Sequence, residues 1–150
     1  GWRAPAGRAR TVRGDAARPP LAEGRCDAVL VDAPCSGTGT LRRRPEIRAR
    51  LRVGSIRSCA AEQARILEAA AWLPRSGGAL TYAVCSLEPE EGVEQVRRLL
   101  ERHPDLLAVD PAELLGGECA DLVEGDPPLL HSRPETADHD GFVAARLVRR

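Results

Sequence analysis

The chain has 150 residues with 22 basic and 22 acidic side chains, every basic one an arginine; one Phe, one Tyr and two Trp leave Leu, Val and Ala to build a single core. The zero net charge hides a split, since residues 1–57 hold 13 Arg against 5 acids and residues 58–150 hold 9 Arg against 17. No run of about 18 apolar residues exists to span a membrane, and five cysteines with no CxxC pair, away from His103, His131 and His139, argue against a disulfide framework or zinc site and for reduced cytosolic thiols.

The opening "GWRAPAGRAR" begins with Gly and resembles neither a signal peptide nor a domain start, so the chain is read as a piece of something longer. "RTVRGD" (10–15) predicts a strand ending on an acid. "CDAVLVDA" (26–33) predicts a buried strand, because its apolar run is too continuous for a half-exposed one. Helical spacing puts Ala64, Leu67 and Ala71 on one side of residues 59–73, and Pro74 with Gly77-Gly78 stops that helix. "ALTYAVC" (79–85) predicts a second buried strand. Pro89 reads as the first residue of a helix to about His103, with Glu90 and Glu91 in its positively polarised first turn and Val93, Val96, Leu99 and Leu100 inward. "LLAVD" (106–110) predicts an edge strand, 111–138 a long loop with a short helix at 112–115, and "GFVAARLVRR" a terminal strand. The alternation implies an α/β fold with a mostly parallel sheet, whose opening strands are expected upstream.

Chemically capable residues gather at the strand ends. Ligands of open α/β sheets bind outside the carboxyl ends of strands, and Asp15, Asp32 with Cys35, and Cys85 each follow one. Pro34 stiffens the turn between Asp32 and Cys35, while Gly37 and Gly39 would let the backbone approach a ligand closely. Cys26, Cys59 and Cys119 are read as small buried hydrophobes. Seven Arg within 42–57 face a single acid, Glu46, and form a patch suited to phosphate.

"DAPCSGTG" (32–39) with "LRRRPE" (41–46), "GGALTYAVCSLEPEEG" (77–92) and a closing "DGF" (140–142) resemble, in order and spacing, the signature blocks of the RsmB/Nop/Sun-type RNA cytosine-5 methyltransferases. The resemblance covers roughly residues 10–150. It implies a partial, Rossmann-like S-adenosylmethionine-dependent methyltransferase fold, with residues 1–150 as the C-terminal part of one catalytic domain. It further implies methyl transfer to C5 of cytosine in RNA, ribosomal ahead of transfer RNA, by a monomeric enzyme of the bacterial cytoplasm without a metal. By resemblance Cys85 is the nucleophile that adds to C6, and Cys35 assists release of the product. Asp32 would contact the cytosine near N3 and the methionine end of the cofactor, with Pro34 beside it. Asp15 would contact the adenine, and Arg42, Arg43 and Arg44 the RNA phosphates. Phe142 is read as a core aromatic in preference to a pocket contact.

This chain departs from the family pattern in three respects. The glycine-rich cofactor loop and the acid after the second strand would lie before Gly1, Val84 stands where many relatives have Thr, and 131–139 is more irregular than the usual ending. The alternative reading is a truncated product that binds RNA without catalysis. A DNA cytosine methyltransferase shares a Pro-Cys nucleophile but not the second block, and the lack of CxxC disfavours a thiol oxidoreductase.

Overall fold

The computed structural model describes residues 11–134 and 139–150. Among these, six strands form one sheet: β1 (Cys26–Asp32), β2 (Pro74–Val84), β3 (Leu106–Val109), β4 (Val123–Glu124), β5 (Leu129–Ser132) and β6 (Phe142–Arg149). Four helices accompany them: α1 (Glu46–Arg50), α2 (Val53–Ala71), α3 (Val93–Arg102) and α4 (Pro111–Leu115). The order β1-β2-β6-β5-β4, with β3 also pairing β6, puts β2 and β6 at the centre. Of the described pairings only β1 with β2 is parallel, and every pairing of β6 is antiparallel. The sheet is therefore mixed rather than mostly parallel.

Period-two alternation drives the central strands. Leu80, Tyr82 and Val84 of β2 and Val143, Ala145 and Leu147 of β6 point into one core, as expected for strands with one packed face. Against them pack Ile66, Leu67 and Ala70 of α2 and Val96 and Leu99 of α3. Each fully buried leucine contributes roughly 1.5–3 kcal/mol of transfer free energy. Val93 and Leu100 are only partly buried at its rim.

Several sequence expectations need correction. Residues 11–15 form no strand; Asp15 instead opens a turn by accepting the Ala17 N–H at 2.9 Å, ahead of Pro19 and Pro20. The β1 run is not buried, for Leu30 is 71% exposed, because β1 has a partner only in β2 among the described residues. Helix α2 starts six residues before the expected Cys59, and β2 already begins at Pro74, with a register break that loops out residues between Pro74 and Ala79. Helix α3 begins at Val93, since Pro89–Gly92 form a turn instead of its first coil. The segment read as a loop after α4 carries the β4–β5 hairpin, whose strands of two and four residues are too short to show a period.

For the site, the parallel β1–β2 pair matters most. Parallel neighbours finish at the same edge of a sheet, and Asp32 of β1 sits opposite Ala83 of β2. Three residues past the one and two past the other come Cys35 and Cys85.

Candidate active site

The two sulfurs converge, Cys35 Sγ and Cys85 Sγ lying 3.2 Å apart. The loop after β1 is latched on both sides. Gly39 N–H donates to Cys85 O at 3.1 Å, and Gly39 O accepts from Gly141 N–H at 2.8 Å, so the three sequence blocks meet here. A side chain at Gly39 would put Cβ 2.2 Å from Gly141 O. The close approach that glycine permits is thus to the chain's own backbone, not to a ligand. Gly39→Ala is expected to lower stability by about 3 kcal/mol, the cost of forcing a methyl into filled space. Urea unfolding with an unchanged midpoint would contradict the latch.

Burial, then the hydrogen bond and charge of Cys85, push the Cys35 thiol up to about 12, and N–H groups near its sulfur do not reverse this. Two thiols in contact cannot both ionise at low cost. Cys35 therefore keeps its proton at neutral pH, within hydrogen-bond reach of the Cys85 sulfur.

Beneath the pair lies Glu91, which sequence spacing places in the first turn of a helix. Its side chain is 0% exposed. Oε1 accepts Ser36 N–H at 2.8 Å and Gln63 Nε2 at 3.1 Å; Oε2 accepts Ser86 Oγ at 2.5 Å and also Ser36 Oγ. Gln63 Nε2 additionally donates to Pro34 O at 2.9 Å. Burial first, then the Glu91 carboxylate, raises the thiol of Cys59 and the phenol of Tyr82. A Ser after each cysteine was the available signal, but periodicity could not show where Glu91 points.

A cavity of about 420 Å³ opens over the sulfurs, lined by Cys35, Cys85, Arg44, Arg50, Ser55 and Cys59 among others. Cys59, expected as a core filler, thus faces it. Of the arginines expected to meet RNA, only Arg44 lines this cavity; Arg43 pairs with Asp140 at 3.4 Å and Arg42 is exposed on the same turn. Arg50, one of the seven arginines of the 42–57 patch, lines it too. Asp32 lies instead on a neighbouring cavity of about 270 Å³, walled by Leu21, Leu30 and Ile66, which shares Ala33 and Pro34 with the first. Asp15 lines a third, which shares Ala16, Pro19 and Leu21 with the second. Phe142 is 41% exposed and lines none of these, so it is neither core aromatic nor pocket contact.

Comparison with known proteins gives a consistent result. The family model for 16S rRNA methyltransferase RsmB/F matches residues 3–148. Ribosomal RNA small subunit methyltransferase B of Serratia proteamaculans is 38% identical over 82% of this chain and 26% of its own length. Methyltransferase F of Erwinia tasmaniensis is 39% identical over 81% of this chain and 25% of its own. The chain thus spans about a quarter of the curated relatives it matches. A methyltransferase homologue from Pyrococcus horikoshii superposes with a TM-score of 0.66 at 26% identity, covering 84% of this chain and 40% of that one.

Proposed function

The chain belongs to the RsmB/F family of 16S rRNA methyltransferases, and from that membership we propose that the complete protein methylates C5 of cytosine in RNA, small-subunit ribosomal RNA first. The observation that carries the proposal is the pair of sulfurs 3.2 Å apart at the mouth of one cavity. C5 of cytosine is a poor nucleophile until a thiolate adds at C6 and turns it into an enamine carbon. By the family resemblance Cys85 is the sulfur that attacks a base turned out of its stack, with Cys35 beside it.

S-adenosylmethionine, when bound, supplies the electrophilic methyl group. The lining of the second cavity fits it in chemical character: Asp32 would hold the cationic methionine end, Leu30 and Ile66 would offer an apolar wall, and Pro34 lies on the border with the first cavity. Asp15, on the cavity next along, remains the candidate for the adenine. Once C5 is substituted, its proton passes to solvent, the electron pair of the C5–H bond becomes the second bond between C5 and C6, and the C6–S bond breaks with its pair on sulfur. The departing Cys85 sulfur takes a proton from Cys35 beside it, and solvent returns a proton to Cys35.

Arg44 and Arg50 are assigned to phosphates flanking the base. Replacing both with Ala should weaken RNA binding and flatten its salt dependence by about 0.7 log units for each phosphate no longer neutralised. A slope equal to that of the unaltered protein would remove them from the interface. The same reading has the enzyme act as a monomer in the bacterial cytoplasm.

The deciding experiment supplies methyl-labelled cofactor with ribosomal RNA, transfer RNA or DNA. Label on C5 of ribosomal cytosine supports the proposal. RNA retained without label would favour a non-catalytic RNA binder instead.

A further inference from the structure

We propose that Glu91 is a positioning residue that sets the separation of the two sulfurs. A carboxylate withdrawn completely from water is costly unless donors surround it, and four groups donate to this one. Two of the residues involved, Ser36 and Ser86, directly follow Cys35 and Cys85. Gln63 grips Glu91 and the Pro34 carbonyl together, so Cys35 is held from the residue before it and the residue after it. The Tyr82 hydroxyl donates to Glu91 O at 2.6 Å and so anchors Glu91 to β2. Glu91 does not line the cavity above the sulfurs. Its effect on chemistry passes through the two backbones it ties.

A length-setting role and a charge-supplying role predict opposite rankings of the conservative variants. Glu91→Gln keeps the reach; its amide oxygen still accepts Ser36 N–H, and the serine hydroxyls can turn to accept from its NH₂. Glu91→Asp keeps the charge but shortens the tie by one methylene. The proposal rests on Cys35 and Cys85 being the reacting pair, but their geometry can be read without RNA or cofactor. Phenylarsine oxide condenses with two neighbouring thiols: two As–S bonds form, and the oxygen leaves as water with the two thiol protons.

In the intact protein, peptide mass mapping should find the arsenic bridging Cys35 and Cys85. Bridging should slow about tenfold in Glu91→Asp and stay within about threefold of the parent in Glu91→Gln, because sub-ångström displacement is what such reactions feel. Unchanged melting and unchanged alkylation of Cys26 check the fold. Should Glu91→Asp fail that check, Ser86→Ala, which removes one tie, serves in its place and should also slow bridging. Parent rates in Glu91→Asp or in its substitute, or Glu91→Gln slower than Glu91→Asp, would overturn the proposal. In the methylation assay the same displacement should lower kcat and leave KM for RNA unchanged. That readout is separate, so loss of activity with intact bridging would count against the reaction and not against Glu91.

Discussion

Replacing Cys85 with alanine is expected to abolish methyl transfer to RNA in the complete protein, by at least about 10⁴-fold, as for nucleophiles whose removal leaves only binding behind. The size follows from the substrate. An aromatic C5 with no adduct at C6 has no electron pair to offer, and the sulfur beside the position that Cys85 occupies belongs to Cys35, whose burial still disfavours its thiolate. Alanine removes one partly buried sulfur and leaves the backbone that accepts from Gly39 N–H in place. RNA binding should therefore survive while the product disappears. Transfer at even one-hundredth of the parental rate, about 2.7 kcal/mol of barrier by rate theory, would reassign the nucleophile.

Cys35→Ala is expected to fail differently, by stopping after the first bond. The proton that Cys35 retains sits on the sulfur 3.2 Å from Cys85, where a leaving thiolate would collect it. Without that donor the C6–S bond is slow to break, and protein should accumulate joined to RNA. A denaturing gel should show a retarded band that carries both, and the double variant Cys35→Ala/Cys85→Ala should show none. A single variant that turns over normally, or a band that persists in the double variant, would reverse the division of labour. The two cysteines should therefore be distinguishable by which species piles up.

The meeting of Cys35 and Cys85 was legible because each ends an apolar run, and parallel neighbouring strands deliver their ends to one edge. The core faces of α2 and α3 were legible for the same kind of reason, since Leu67, Ala71, Val96 and Leu99 follow a local period. Glu91 was not. Its neighbours in sequence, Pro89 and Glu90, make a convincing first helical turn, and the contacts that draw its side chain inward include residues 28 and 55 positions away, which no local pattern reveals. The 42–57 patch included Arg50, but a five-residue helix has too short a pattern to single it out as facing the sulfurs. Leu30 misled in the opposite sense: a continuous apolar run specifies a strand made to be covered, not one that the described residues do cover. Asp32, the last residue of β1, opens on the adjoining cavity, while Cys35 lies in the loop beyond the strand, where no period applies.

The Gly39–Gly141 contact has a consequence for biosynthesis. Translation makes residues 35 and 85 well before residue 141, and β6, which fills the middle of the sheet, comes later still. A growing polypeptide therefore carries both thiols, and the Glu91 ties between them, without the clasp on Gly39 until residues 141–149 have left the ribosomal tunnel. A message cut short before that point yields a product that keeps both cysteines but lacks the strand that fills the middle of the sheet.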